Sequence, residues 1–174
     1  MAVKLILTEP NKILRQKSLP VQRVDENIKK IMDDMVDTMY AASGIGLAAI
    51  QIGIPKRIIV LDISKQETEK KPMFFVNPKI NWKSKTNSTY EEGCLSVPGQ
   101  FAEIDRPDTC DLTFLDYNGN PKEIKAEGLL ATCIQHEMDH LEGILFIDYL
   151  SKLKKSMIVK KLSKQKKDLD RIVV

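Results

Sequence analysis

Apolar residues recur at helical spacing over residues 25–43, and this pattern predicts the first helix of the chain. The apolar stripe consists of Ile28, Ile31, Met32, Met35 and Met39. Asp25 is a residue type that caps helix N-termini, and Gly44 suits the position just after a helix end. The run that follows, 44–51, is too rich in glycine to predict another helix.

Strands are predicted by two short apolar runs and by one segment of strict alternation. The runs cover 57–63 and 73–80, and apolar residues alternate with polar ones over 109–117. Asn118-Gly119 then marks a tight hairpin, so we expect a return strand over 122–126.

Two further helices are predicted in the last third of the chain. One spans 127–142 and ends at Gly143, and a basic one covers about 150–169. Strands that cluster between helices and are joined by hairpins predict an α+β fold. Because 174 residues is the length of one domain, we expect residues 1–174 to form one unit with a basic C-terminal helix at 151–174.

Composition is that of an ordinary globular protein, with 43% apolar and 29% charged residues. The longest apolar runs have the length of a strand, far short of the roughly 20 residues that cross a bilayer. Residues 3–7 are too short for the apolar region of a signal peptide, and Glu9-Pro10 ends them. We therefore expect a cytoplasmic protein, or an organellar one that has lost a presequence, without a membrane partner.

Basic residues concentrate at the C-terminus. Nine Lys or Arg and two Asp follow Ser151, so this segment carries a charge of +7 in a chain whose net charge is +3. A solvated helix face is the commoner explanation of such a run, and electrostatic contact with ribosomal RNA is the alternative. Leu153, Met157 and Leu162 predict only a partial apolar stripe on this helix.

The only two histidines of the chain lie four residues apart in the second predicted helix. His136 and His140 share one helix face with side chains about 6 Å apart, so both imidazoles can reach one metal ion. Glu137 projects beside His136, close enough to act on a water at the metal without binding the metal. The alternative is an amphipathic helix with two neighbouring histidines, but chance seldom places them in this frame with Glu between them.

A catalytic metal site needs a third protein ligand and an open position for water. No histidine or glutamate downstream of the helix supplies that ligand, which excludes two common zinc-peptidase patterns. Of the three cysteines, Cys133 lies too far along the helix from His140 to share one ion, and Cys110 falls on the apolar face of a strand. Cys94, in the turn-prone segment 91–99, is by elimination the third ligand. A Cys-His-His site suits zinc or ferrous iron.

Three segments together resemble the motifs of the peptide deformylase family of the bacterial type. In the order of that family, they are Gly44-Ile-Gly-Leu-Ala-Ala-Ile-Gln51, Glu92-Gly-Cys-Leu-Ser96 and Gln135-His-Glu-Met-Asp-His-Leu-Glu-Gly143. The resemblance runs from the N-terminus to about residue 150. It implies mostly antiparallel sheets packed around a central helix that carries the HExxH sequence, with a C-terminal helix after them.

The resemblance also implies a reaction, the hydrolysis of the N-formyl group of an N-terminal formylmethionine with release of formate. Fe²⁺ is the implied cofactor, one per chain, and Zn²⁺, Ni²⁺ or Co²⁺ can replace it. The implied ligands are Cys94, His136 and His140, with water in the fourth position. Glu137 is expected to accept the proton of that water and to pass it to the leaving amine.

Substrate contacts follow from the same resemblance. The side chain of Gln51 and the backbone N–H of Leu95 are expected to stabilise the oxyanion. Gly44, Gly46 and Gly93 carry no side chain, so an extended peptide could lie against their backbone. The implied methionine pocket is lined by Ile45, Leu129, Cys133 and the ring of His136.

Two positions depart from the pattern of the family. Phe101 stands where arginine is common, and Thr132 stands at a pocket position that is often aliphatic. Both departures affect contacts with the peptide and leave the metal chemistry unchanged. Glu92 is expected either to pair with Arg106 as a brace behind Cys94 or to form a solvated ion pair with it.

Two other functions compete with this one. A general metallopeptidase would use the same Glu and metal, but the absent downstream ligand and the other two motifs argue against it. A non-enzymatic RNA-binding module with a structural metal would rest on the basic C-terminal segment. The expected partners are N-formylmethionyl nascent peptides and the ribosome, the latter through the C-terminal helix, with no specific DNA.

Overall fold

The computed structural model describes residues 2–64 and 69–172. Its helices are α1 (Glu26–Ala41), α2 (Gly128–Leu141) and α3 (Lys152–Ile172). Its strands are β1 (Gly46–Ala48), β2 (Ile58–Leu61), β3 (Met73–Lys83), β4 (Asn87–Cys94), β5 (Val97–Pro107), β6 (Thr109–Leu115) and β7 (Pro121–Glu127). Short 3-10 turns lie at Lys12–Arg15, Ala49–Ile52 and Phe146–Tyr149. Helices combined with antiparallel sheets confirm the predicted α+β class.

The two ends of α1 are set by side-chain and backbone caps. Asp25 caps its start, because the Asp25 carboxylate accepts a 2.9 Å hydrogen bond from the backbone N–H of Ile28. At the C-terminal end of α1, Gly44 was expected directly after the helix, and this expectation is wrong. Ser43 takes that position in the left-handed conformation, with a φ of 54°. Gly44 is one residue further on, and its N–H closes the cap by donating to the carbonyl of Met39 at 2.9 Å.

The main sheet has five strands in the order β1-β2-β3-β6-β7, and every neighbouring pair is antiparallel. β2 is buried on both faces: Ile59 and Leu61 join the core beneath α2, whereas Ile58 and Val60 join the core beneath α1. Because successive side chains of a strand point to opposite faces, an unbroken apolar run marks a strand covered on both sides. The sheet therefore separates α1 from α2.

β4 and β5 form a second, two-stranded sheet whose turn is Leu95-Ser96. The sequence predicted a turn-prone segment at 91–99 and neither of these strands. α2 contacts β5 of this hairpin as well as β1, β2 and β7 of the main sheet. The HExxH helix is therefore the central helix that the resemblance implied.

The C-terminal helix packs on a different face from the one predicted. Leu162 is buried, and Ile158 and Val159 pack with it against a core cluster that includes residues of β5. Leu153 and Met157 are 71% and 63% exposed, so the predicted stripe is wrong for these two residues. Within the described ranges, no helix is both long enough and apolar enough to cross a membrane.

Candidate functional site

The thiol of Cys94 meets the two imidazoles of α2 at the end of β4. The ligand atoms of Cys94, His136 and His140 all lie within 4.8 Å of one another. Cys94 Sγ is 3.3 Å from His140 Nε2. Typical zinc bond lengths place a sulfur and a nitrogen ligand about 3.5 Å apart on a tetrahedral ion. The cluster therefore fits a metal ion both in its donor atoms and in their spacing.

A buried carboxylate holds His136 from behind. Glu92 Oε2 lies 2.8 Å from His136 Nδ1, which leaves Nε2 directed at the cluster. Arg106 donates two hydrogen bonds to the same carboxylate, at 2.6 Å and 3.0 Å. Glu92 and Arg106 are only 6% and 4% exposed, so the pair is buried and not solvated. The expectation that it braces Cys94 is corrected, because the carboxylate contacts His136 instead.

The surroundings of Glu92 keep it ionised. Burial alone would raise the pKa of Glu92, but hydrogen bonds from His136 and Arg106 outweigh burial and hold its pKa below the usual range. A carboxylate at this place favours a proton on Nδ1 of the imidazole, and the opposite nitrogen is then free to bind a metal.

Glu137 is a buried carboxyl group next to the cluster. It is 5% exposed, and its Oε2 has no hydrogen-bond partner among the described residues. Burial raises the pKa of Glu137 to about 7. A Cβ at Gly46 would collide with this carboxylate, so the glycine leaves the room that Glu137 needs. The group is therefore placed to accept and release a proton near neutral pH.

Burial shifts the pKa of two other groups on α2, and these shifts indicate which of the two can bind a metal. Burial lowers the pKa of His140 well below its usual range, which keeps the imidazole in its neutral form, the form that can bind a metal. Burial also raises the pKa of the Cys133 thiol to about 12. Because a metal ligand must be a thiolate, Cys133 suits the wall of the cavity better than the metal.

Hydrogen bonds at both ends orient the side-chain amide of Gln51. Its Oε1 accepts from the backbone N–H of Ala48 at 2.8 Å, and its Nε2 donates to Ser96 Oγ at 3.0 Å. The same Nε2 lies 3.6 Å from Cys94 Sγ. Leu95 follows Cys94 in the hairpin turn. Gln51 therefore contacts the thiol of Cys94, and Leu95 is the neighbour of Cys94 in the chain.

A cavity of about 510 Å³ opens onto the cluster. All residues predicted for the site line it, except His140. In addition to Cys94, His136 and Glu137, they are Gln51, Leu95, Gly44, Ile45, Gly46, Gly93, Leu129 and Cys133. Thr132 and Phe101, the two departures from the family pattern, also line the cavity. The structure thus brings together residues from β1, the β4–β5 hairpin and α2.

Side chains of the protein fill the space beside the predicted substrate-binding glycines. A Cβ at Gly44 would meet the side chain of Leu95, and a Cβ at Gly93 would meet the ring of Phe101. Close internal packing is therefore one physical reason for glycine at both positions. Contact of their backbone with a peptide stays a prediction.

Three residues near His136 and Arg106 were not predicted for the site. Asp139 accepts a 2.8 Å hydrogen bond from Arg106 Nη1, and Tyr149 and Phe146 lie in the 3-10 turn after α2. Asp139 lies three residues after His136, so its place in the HExxH helix was a usable signal. Nothing in the sequence marks the two aromatic residues beyond their closeness to that helix.

Comparison with known proteins gives one consistent result. The sequence model of the family described as polypeptide deformylase matches residues 3–156. The peptide deformylase of Pelagibacter ubique is 68% identical over 174 residues and that of Maricaulis maris 56% over 171 residues; the alignments cover 100% and 98% of both chains. The crystal structure of the Ehrlichia chaffeensis peptide deformylase in complex with actinonin superimposes with a TM-score of 0.89 at 46% identity, covering 95% of this chain and 98% of that one.

Proposed function

The chain belongs to the peptide deformylase family, and we propose that it removes the formyl group from the N-terminal formylmethionine of newly synthesised proteins by metal-dependent hydrolysis, releasing formate. One observation carries the proposal: a Cys-His-His cluster and a buried glutamate line the same cavity. The cavity volume of about 510 Å³ lies within the usual range of small-ligand sites.

The cluster is the proposed cofactor site. Cys94, His136 and His140 would hold one Fe²⁺ per chain, and Zn²⁺, Ni²⁺ or Co²⁺ would bind the same atoms. One thiolate and two imidazoles support a first-row transition metal over Mg²⁺ or Ca²⁺, which prefer oxygen ligands. When bound, such an ion makes hydroxide available at neutral pH and polarises the formyl carbonyl.

Glu137 is the proposed general acid and base. Its free Oε2 and its raised pKa support a role in which it takes a proton from the attacking water and delivers it to the methionine amine. Such proton transfer contributes roughly 10²- to 10⁴-fold in rate. Gln51 Nε2 and the backbone N–H of Leu95 would donate to the oxyanion, and the loss of one such donor costs about 3–4 kcal/mol.

The cavity wall supplies the proposed methionine pocket. Ile45, Leu129 and Cys133 would surround the methionine side chain together with the ring of His136. An unbranched thioether adapts to an irregular apolar pocket, which supports this assignment. Thr132 would shape the pocket, and Phe101 would shape contacts with the residues that follow methionine.

We also infer a place of action and a partner. The substrate arises on ribosomes, which supports a cytoplasmic enzyme that meets nascent chains as they emerge. The described residues of α3 from 164 to 172 are all exposed, and they carry four basic side chains (Lys164, Lys166, Lys167 and Arg171) against two acidic ones. This free basic surface supports contact between α3 and ribosomal RNA.

The decisive experiment measures formate release from formyl-Met-Ala-Ser under anaerobic conditions, with metal analysis of the same sample. We expect fast release by the iron form and no reaction with the unformylated peptide. Glu137→Gln is the matched variant, because it keeps the size of the side chain and removes the base. It should keep the metal and lose at least about 10²-fold in kcat.

Two results would contradict the proposal. A wild-type protein with one metal per chain that releases no formate is not a deformylase. Cleavage of internal peptide bonds, with the formyl group left in place, would instead indicate a general metallopeptidase. Full activity of Glu137→Gln would leave the reaction assigned but would remove Glu137 as its base.

A further inference from the structure

A line of polar contacts runs from the metal-binding face of α2 to the surface of the protein. It begins at His136 and passes through Glu92 to Arg106, as described above. Arg106 Nη1 then donates to Asp139 Oδ2 at 2.8 Å, and the Tyr149 hydroxyl donates to the same oxygen at 2.7 Å. The line therefore joins a buried imidazole to a tyrosine that is 52% exposed.

Tyr149 holds Arg106 in two ways. Its hydroxyl fixes the Asp139 oxygen that Arg106 binds, and its ring lies 5.0 Å below the guanidinium carbon. The aromatic face attracts the guanidinium group and restrains the orientation of its plane. Two other nitrogens of the same guanidinium group donate to Glu92. A restrained guanidinium plane therefore also restrains the carboxylate that orients His136.

The 3-10 turn that carries Tyr149 touches His136 a second time. Phe146, three residues before Tyr149, stacks on the imidazole with ring centroids 6.2 Å apart and an angle of 26° between the planes. Phe146 is 1% exposed, so the protein core fixes its ring. The turn thus restrains His136 directly through Phe146 and indirectly through Tyr149.

We propose that Tyr149 is a positioning residue for the metal centre, which fixes the orientation and hydrogen bonding of His136 through Asp139, Arg106 and Glu92. The inference rests on the proposed function only in that His136 must be a metal ligand. A half-exposed tyrosine that served packing alone would not need its hydroxyl, and here that hydroxyl shares an acceptor with a buried arginine.

The test compares Tyr149→Phe with wild type and with Tyr117→Phe. Tyr117 is a matched control, because its hydroxyl also donates to an aspartate, Asp33, at 3.2 Å, away from the cavity. The readouts are the rate of metal release to a chelator, the visible spectrum of the cobalt form, and kcat and KM for formyl-Met-Ala-Ser. Thermal unfolding reports any loss of stability alone.

We expect Tyr149→Phe to release its metal about 3- to 10-fold faster, less than the 10- to 100-fold typical of a direct partner of a metal-bound histidine. Its cobalt bands should shift, and kcat should fall at unchanged KM. Tyr117→Phe should match wild type. Release rate and cobalt spectrum equal to wild type in Tyr149→Phe, with or without a lower melting temperature, would overturn the inference. An inactive wild type would refute the deformylase assignment, while metal release and the spectrum would still test Tyr149.

Discussion

Two cysteines on strands of this protein have opposite chemical surroundings. Cys94 ends β4 and faces two imidazoles, and it is only partly buried. Cys110 lies on β6 with no exposed surface, among apolar residues of the core, and burial raises the pKa of its thiol. Since a thiolate binds a metal and a buried thiol packs as a small apolar group, the surroundings and not the residue type decide the role.

This contrast gives a prediction at the scale of single residues. Cys94→Ser should lose or exchange the metal, because a hydroxyl is a poor replacement for a thiolate ligand. Cys110→Ser should keep one metal per chain and lose about 1–3 kcal/mol of unfolding free energy, because it buries a hydroxyl without a partner. Metal analysis and urea unfolding of both variants check this. Metal loss in Cys110→Ser, with full metal content in Cys94→Ser, would exchange the two roles.

The sequence predicted those helices and strands whose residue pattern reflects burial or a capping position. β2 appeared as an unbroken apolar run because both of its faces are covered. The end of α2 followed from Gly143, which adopts a φ of 75° and whose N–H donates to the carbonyl of His140. Ser43 takes the equivalent place after α1, and a sequence rule that favours glycine there selects the neighbouring Gly44 instead.

The β4–β5 hairpin was not predicted, for a physical reason. Over 87–91, no residue of β4 is buried, and its sequence is polar. A two-stranded ribbon outside the main sheet has little apolar surface to bury, so alternation between apolar and polar residues is weak. Cys94 could nevertheless be selected as a candidate ligand, because elimination and the Glu92–Ser96 motif do not depend on strand assignment.

A carboxylate at the end of β2 supports a prediction at the scale of elements. Asp62 follows β2 and accepts hydrogen bonds from Tyr40 on α1 and from the backbone N–H groups of Ser64 and Lys71. Burial alone would raise the pKa of Asp62, but these hydrogen bonds outweigh burial and lower it to about 2. The ionised carboxylate therefore ties the helix, the strand and the following loop together.

Because the folded-state pKa is lowered, Asp62 stabilises the fold above about pH 4, and this stability is lost as pH falls toward 2. Asp62→Asn should therefore lower the unfolding free energy by about 2 kcal/mol at pH 7, and the difference from wild type should shrink between pH 4 and pH 2. Urea unfolding across this range measures it. Asp111→Asn, a partly buried aspartate with no ion pair in the described part of the chain, is the control. A difference from wild type that stays constant with pH would contradict the linkage.

At the scale of the whole molecule, the site exists only because distant segments meet. Its residues come from β1 and the following turn, from the β4–β5 turn and from α2, so they span 44–140 in the sequence. The spacing of the two histidines predicts a metal, but periodicity cannot say that Gln51 reaches Cys94. The resemblance of three ordered motifs supplied that information, and the fold shows that they surround one cavity.

Charge is distributed unevenly between the C-terminal segment and the rest of the chain. The segment after Ser151 carries +7 and the rest of the chain −4. α3 is anchored near its middle by buried Leu162. In its first turn, an ion pair between Lys155 and Asp148 at 2.6 Å anchors it as well. Deletion of 152–174 would remove these anchors along with the charge, so it could not separate ribosome contact from loss of packing.

Neutralising exposed lysines separates the two effects, and it provides the prediction at this scale. Lys160→Gln, Lys164→Gln and Lys167→Gln together remove three exposed charges of α3 and leave its anchors in place. If α3 contacts ribosomal RNA, the triple variant should bind ribosomes more weakly in cosedimentation. The salt slope of log K should also become shallower by up to about 2.7, because each of three lost phosphate contacts removes roughly 0.7–0.9.

The control for this triple variant has the same net charge. Lys122 and Lys125 on β7 and Lys85 between β3 and β4 are exposed lysines outside α3. Their change to Gln should leave ribosome binding and its salt slope near wild type. Equal losses in both triple variants would assign the attraction to net charge alone, and no loss in either would remove ribosome contact from the proposal. Deformylation of a short peptide should be unchanged in both, since neither set of lysines lines the cavity.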